Sequence, residues 1–162
     1  MQSLRKEVSV MEFSEQIQVL QQNYLHMQFP SRSENEGLAR VAVAAFVVEL
    51  DPTLEQVTEL KTAVSEAVTN CIIHGYELGE GEIRLHCALH EGAVEIIVED
   101  DGKGIDDIEQ ARLPLYTSRP DLERSGMGIT IMESFVDEFS INSTPGQGTR
   151  VYMRKIIQRD DR

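Results

Sequence analysis

The stretch EIRLHCALHEGAVEIIVEDDGKG, residues 82–104, decides the fold. It alternates apolar and polar side chains over 82–89 and again over 93–98, the period of a half-buried strand. Glu91 and Gly92 sit between the two runs, so the pair reads as a β-hairpin. Consecutive strands that pair directly have no crossover helix between them, which argues against a doubly wound parallel sheet. The second run ends in Asp100, Gly102 and Gly104, the start of a loop.

Upstream, Ser33 and Glu36 have capping-box spacing, and LARVAVAAFVVEL behind them predicts a helix to about residue 50. Asp51 and Pro52 stop it. Thr53 then caps a second helix to about His74, which Gly75 ends. A brief strand is expected at 25–29. Residues 1–22 read as a poorly anchored N-terminal extension, although Phe13, Ile17, Leu20 and Tyr24 have the spacing of a short amphipathic helix. Downstream, 100–124 is irregular apart from a short helix at 107–112, and so long an irregular stretch in a compact domain usually serves function, often as a lid. A helix is expected at 128–137, then strands at 138–143 and 149–156 turning over PGQG, 145–148. The charged tail, 158–162, is expected to be loose. The order helices, hairpin, glycine loop, helix, hairpin predicts one α+β domain over 23–157, a sandwich with its helices on one sheet face.

A length of 162 residues suits one core, and an apolar fraction of 41% is ordinary. The net charge of −13 argues against broad nucleic-acid binding and against docking on anionic lipid. A basic partner patch and plain solubility both fit it. MQSLRKEVSV lacks the apolar run of a leader, and the longest apolar run, 41–48, falls well short of the ~20 residues of a membrane span. A cytoplasmic protein is expected. Cys71 and Cys87 fit a reducing compartment. Cys71-x-x-His74 and His86-Cys87-x-x-His90 raise a zinc reading. Strand alternation counts against it, since His86 and His90 share one face and Cys87 takes the other.

Three motifs carry chemistry. In VSEAVTNCIIHG, residues 64–75, Glu66 and Asn70 lie one helical turn apart on a stripe that flanks the apolar face, as cleft-lining residues do. Asn70 offers a neutral oxygen for Mg²⁺, which takes few protein ligands alongside substrate phosphates, and Glu66 can accept a proton. A solvated polar stripe gives the same spacing. His74 continues it, but a histidine at a helix C-terminus is common, and it stays outside the catalytic set.

Asp100 ends a strand as an acceptor-only group, which suits the exocyclic amine of adenine and opposes the carbonyl of guanine. Gly102 and Gly104 would let backbone approach the base. An acidic hairpin turn is the plainer alternative. The third motif, Arg124-Ser125-Gly126-Met127-Gly128, leads into ITIMESF, and free amides at a helix start bind phosphate. Arg124 would hold the terminal phosphate; a surface ion pair is its alternative. Thr117, Ser118 and Arg119 would contribute from a closing lid, and Thr149 from the start of the last strand.

Together SEAVTNCIIHGY, EDDGKGI, LYTSRPDLERSGMGITIMESF and PGQGT resemble the GHKL ATPase superfamily, and within it the sporulation anti-sigma branch. The resemblance covers roughly 24–157. It implies a Bergerat-type two-layer α/β sandwich, with a mixed, mostly antiparallel sheet and helices on one face. It implies a homodimeric protein-serine kinase using ATP and Mg²⁺. The implied partners are a sporulation sigma factor (sigma F), which is sequestered, and an anti-anti-sigma protein, which is phosphorylated on serine. Neither nucleic acid nor membrane is contacted directly.

By motif, the resemblance assigns Mg²⁺ to Asn70, the base to Glu66 and adenine to Asp100, with Gly102 and Gly104 shaping the pocket. It assigns the γ-phosphate to Arg124 and the phosphate wrap to Gly126 and Gly128; Thr117, Ser118, Ser125 and Thr149 complete the candidate nucleotide set, with a structural strand threonine the alternative for Thr149. Arg40, a lone cation in an Ala- and Val-rich helix, would meet an acidic residue of the sigma factor; a snorkelling surface arginine is the alternative. Two departures stand out: the extension over 1–22 has no counterpart, and Arg119 stands where a lysine is expected. A stress-response anti-sigma kinase with another sigma partner, a non-catalytic ATP-binding module and a detached histidine-kinase domain share the superfamily motifs.

Overall fold

The computed structural model describes residues 23–114 and 127–157. Strand β1 (Tyr24–Pro30) leads into helix α1 (Ser33–Phe46), which tightens into a 3-10 turn at Val47–Leu50. Helix α2 (Leu54–Asn70) widens into a π turn at Cys71–Gly75. Strands β2 (Glu82–His90) and β3 (Ala93–Asp100) follow, then the short helix α3 (Ile108–Ala111), helix α4 (Gly128–Phe135) and strands β4 (Glu138–Thr144) and β5 (Gly148–Ile156). The sheet order is β1-β2-β3-β5-β4, and each of these four pairings is antiparallel. The α+β expectation is met.

The hairpin that argued for this fold is present. Glu91 (φ 50°) and Gly92 (φ 74°) both take positive φ, as a two-residue type I′ turn requires. Leu85, Cys87 and Leu89 of β2 and Val94, Ile96 and Val98 of β3 share one buried cluster with Ala39, Val43, Leu60, Val64, Val68 and Met132. The helices therefore cover one face. Leu60, Val64 and Val68 are fully buried, each worth about 1.5–3 kcal/mol, and this stripe fixes the rotation of α2 and hence where Glu66 and Asn70 point.

The opposite face is polar. Glu99 lies among Arg150 (3.3 Å), His86 (3.4 Å) and Arg84 (3.6 Å). The His86 ring meets His26 edge-on at 4.6 Å, while Cys87 points into the core, so the histidines and the thiol of that segment do not converge.

Two helix starts differ in an instructive way. Thr53 forms a full capping box with Gln56, its hydroxyl accepting from the Gln56 amide (3.1 Å) and the Gln56 side chain from the Thr53 amide (3.0 Å). The box expected at Ser33 and Glu36 does not form: Ser33 is already helical, and Arg32 sits at the cap without a side-chain bond. The Glu36 carboxylate instead accepts from Arg40 one turn on (3.1 Å) and from Ser65 across the α1–α2 interface. An ion pair with a second donor outcompetes a solvent-exposed cap.

Candidate functional site

A cavity of about 220 Å³ opens between α2, the ends of β3 and β5, and the start of α4. Asn70, Cys71, Gly75, Asp100, Gly104 and Thr149 line it. Val98, Met132, Ile141 and Val151 give it an apolar wall.

The π turn sets the floor. The Tyr76 amide donates to the Cys71 carbonyl (2.9 Å), one residue beyond the α-helical partner, and such widened turns recur at functional sites. This carries Gly75 under β3. A Cβ on Gly75 would lie 2.9 Å from the Asp100 carboxyl carbon, and one on Gly102 would lie 2.2 Å from the Gly75 carbonyl oxygen. The Lys103 amide donates to that oxygen (2.9 Å). Gly104 takes a φ of +74° against the Thr144 carbonyl, so it is glycine for conformation as well as space. The Gly146 amide donates to Lys103 (2.6 Å), tying the loop to the β4–β5 turn.

Asp100 is 5% exposed. Burial pushes its carboxyl above the ordinary range, against hydrogen bonds from the Gly102 amide (2.9 Å), the Cys71 thiol and the Thr149 amide that favour the carboxylate. The result is a desolvated acceptor on a cavity floor. Thr149 lines the cavity, and its hydroxyl is 2.8 Å from that of Ser143, which accepts from the Ile105 amide (2.7 Å).

At the other end, Glu66 and Asn70 converge on the first residue of α4. A Cβ on Gly128 would lie 2.8 Å from Glu66 Oε2 and 3.4 Å from Asn70 Oδ1. The two oxygens thus face a helix N-terminus whose amides favour anions. Among the described residues no group of three His, Cys, Asp or Glu side chains is placed to hold a metal ion. One Asn oxygen beside a helix N-terminus is a donor set that suits Mg²⁺ shared with a phosphate-bearing ligand, not an all-protein cage.

Glu66, Asn70, Asp100, Gly102, Gly104, Gly128 and Thr149 are therefore brought to one cleft and its margins. His74 also lines it. Thr117, Ser118, Arg124, Ser125 and Gly126 lie outside the described residues. Arg40 is not part of the cavity; it is held between α1 and α2 by Glu36 and Ser65 (3.4 Å), its side chain 40% exposed. Sequence reasoning missed Cys71, Gly75 and Ser143 as cleft residues: Cys71 entered only the zinc reading, and Ser143 carried no signal. Gly75 carried a signal, but it read only as a helix stop.

The model of the histidine kinase-like ATPase domain matches residues 29–155. The anti-sigma F factor of Clostridium novyi is 59% identical over 137 residues, covering 84% of this chain and 96% of that protein. The chain belongs to the anti-sigma F factor family. The anti-sigma F factor of Geobacillus kaustophilus is 55% identical over 136 residues, 83% of this chain and 93% of that one. That of Pasteuria penetrans is 56% identical over 141 residues, 86% of this chain and 94% of its own length.

Among solved structures, the RsbU and RsbW domains of a Mycobacterium tuberculosis protein superpose with a TM-score of 0.64 at 21% identity, covering 86% of this chain and 34% of that one. The catalytic domain of the histidine kinase ThkA superposes at 0.53 with 15% identity, covering 82% and 96%. These two likenesses show the fold. This member of the anti-sigma F factor family is built on a histidine kinase-like ATPase domain. No helix of the described residues is long and apolar enough to cross a membrane.

Proposed function

We propose that the chain binds Mg-ATP in this cleft, phosphorylates an anti-anti-sigma protein on serine, and sequesters a sporulation sigma factor (sigma F) as a cytoplasmic homodimer. Residues 23–157 form the kinase domain in this reading. The observation that carries it is the spacing of unlike groups along one cleft. A desolvated acceptor, Asp100, sits at the floor, and Glu66 Oε2 and Asn70 Oδ1 meet at the first residue of α4.

Asp100 accepts from the exocyclic amine of adenine, and its desolvated carboxylate penalises a base that offers no donor there. Asn70 Oδ1 holds Mg²⁺, which when bound neutralises phosphate charge. The Gly128 amide end of α4 faces the phosphates. Glu66 orients the substrate serine and takes its hydroxyl proton. The serine oxygen bonds to the γ-phosphorus as the β–γ bridge bond breaks, and ADP leaves with that bond's electron pair. Such transfer depends on placement and charge stabilisation more than on covalent chemistry. By the resemblance, Arg124 contacts the terminal phosphate, and Thr117, Ser118, Ser125 and Gly126 belong to the nucleotide set. Arg40, half-exposed and fixed by Glu36, offers its remaining donors to an acidic residue of the sigma factor.

Incubation with γ-labelled Mg-ATP and candidate anti-anti-sigma proteins tests this reading. Phosphoserine on one of them is expected. Tight nucleotide binding with no transfer would leave a non-catalytic module, and capture of a different sigma factor would reassign the partner.

A further inference from the structure

Asp100, Thr149 and Ser143 form one row across the sheet. The register sets Asp100 of β3 opposite Thr149 of β5, and Thr149 opposite Ser143 of β4. The neighbouring row on the same side of the sheet is Val98, Val151 and Ile141, part of the apolar wall of the cavity. Asp100 and Thr149 line the cavity, whereas Ser143 reaches it through Thr149. We propose that Ser143 is a positioning residue for base selection: it takes the Thr149 hydroxyl proton, so that Thr149 presents an acceptor to the cavity beside Asp100. The inference rests on the nucleotide reading above.

Counting protons around Ser143 gives the direction of its bond to Thr149. A serine hydroxyl has one proton and two lone pairs. The Ile105 amide can only donate, and it does so to Ser143 Oγ at 2.7 Å. The Gly148 carbonyl can only accept, and Ser143 donates to it at 3.1 Å. One lone pair is left for the Thr149 hydroxyl, 2.8 Å away, so Thr149 is the donor in this pair. Its own proton is thereby spent on Ser143, and its lone pairs remain for the cavity. The base end of the cavity then holds two acceptors side by side, the Asp100 carboxylate and the Thr149 oxygen. The exocyclic amine of adenine carries two hydrogens and can satisfy both. A carbonyl in the same place, as in guanine or hypoxanthine, meets lone pairs on both. The bond to Ile105 also pins the glycine loop to β4, a contribution that is the same for any base.

The test measures Mg-ATP and Mg-inosine triphosphate on the full chain, each by displacement of labelled ATP. Inosine triphosphate differs from ATP in carrying a carbonyl where adenine has its amine. Ser143→Ala frees the Thr149 proton to turn into the cavity, so the preference for ATP should narrow by about fivefold, the worth of one hydrogen bond. Ser143→Thr keeps the hydroxyl and should restore the preference. Thr149→Val should narrow it by a similar factor, and adding Ser143→Ala to Thr149→Val should narrow it no further. An unchanged preference in Ser143→Ala overturns the proposal, as does a threonine variant that matches alanine, or further narrowing on the Thr149→Val background. If Ser143→Ala weakens both nucleotides equally, Ser143 only anchors the loop at Ile105, and its role in base selection falls while the nucleotide reading stands. Should wild type bind neither nucleotide, the nucleotide reading falls and base selection with it.

Discussion

Gly75 and Asp100 touch so closely that a single added methyl would collide: a Cβ at Gly75 would stand 2.9 Å from both the carboxyl carbon and Oδ2 of Asp100. The helix that carries Asn70 and the strand that carries Asp100 are thereby set at a fixed separation. Gly75→Ala should push the carboxylate out of place. Overpacking of this kind costs about 1–3 kcal/mol of stability. Nucleotide affinity should fall roughly tenfold or more, a change of about 1.4 kcal/mol per decade. Calorimetry with Mg-ATP beside urea unfolding checks it; wild-type affinity in a folded Gly75→Ala would show that Asp100 is free to move.

Lys155 ties three elements together. Its ammonium donates to Glu59 of α2 (2.6 Å) and to the Phe135 carbonyl at the end of α4 (2.8 Å), and the residue is 9% exposed. Lys155→Met keeps the stem but leaves Glu59 and that carbonyl without the cation. A loss of about 3 kcal/mol is expected, the low end for breaking a buried pair because Glu59 is partly solvated. Adding Glu59→Gln should recover part of it, since the orphaned charge is then gone. Urea unfolding of the two single variants and the double reads this directly.

Acid should abolish nucleotide binding before it unfolds the protein. Burial raises the Asp100 carboxyl, so the acceptor form proposed to read adenine is lost at a higher pH than for an ordinary carboxylate. Glu99 behaves oppositely: burial raises it, but His86, Arg150 and Arg84 outweigh burial and hold it below its usual value. Asp101 is lowered by its hydrogen bonds from Arg84. For these two, the stability gained on folding is full above the unfolded-state value and is lost as pH falls through the lower folded one. For Asp100 the sign reverses, and ionisation on raising the pH costs stability. Affinity for Mg-ATP and circular dichroism, followed together from neutral to acid pH, should show binding lost first. Coincident loss would contradict this ordering.

Much of this was legible in the chain. The hairpin at Glu91 and Gly92 announced an antiparallel sheet because its turn chemistry is local. Glu66 and Asn70 were legible because helical geometry alone puts them on one flank. The failures have a common cause. Ser33 and Glu36 have the spacing of a cap, but Glu36 is bound by Arg40 and by Ser65, which lies 29 residues away in sequence. The π turn was hidden because CIIHG is compatible with an ordinary α-helix; the widening is visible only through the Tyr76–Cys71 bond and the contact of Gly75 with β3. Local rules locate the elements, whereas the fine geometry of the cleft depends on contacts between elements distant in sequence.

Gly128 separates the two roles assigned to α2. A Cβ there would press on Glu66 Oε2 at 2.8 Å but only approach Asn70 Oδ1 at 3.4 Å. Gly128→Ala should therefore displace the carboxylate more than the amide. The rate of serine phosphorylation should fall by at least about a hundredfold, the usual contribution of a positioned acid or base. Mg-ATP affinity should change much less. Asn70→Ala should do the reverse in binding, weakening Mg-ATP while nucleotide affinity in the absence of Mg²⁺ stays nearly the same. Glu66→Gln should reproduce the catalytic loss of Gly128→Ala without its steric component. Single-turnover transfer and calorimetry with and without Mg²⁺ distinguish these patterns. A Gly128→Ala variant that transfers phosphate at the wild-type rate would mean that Glu66 is not held in place by the start of α4.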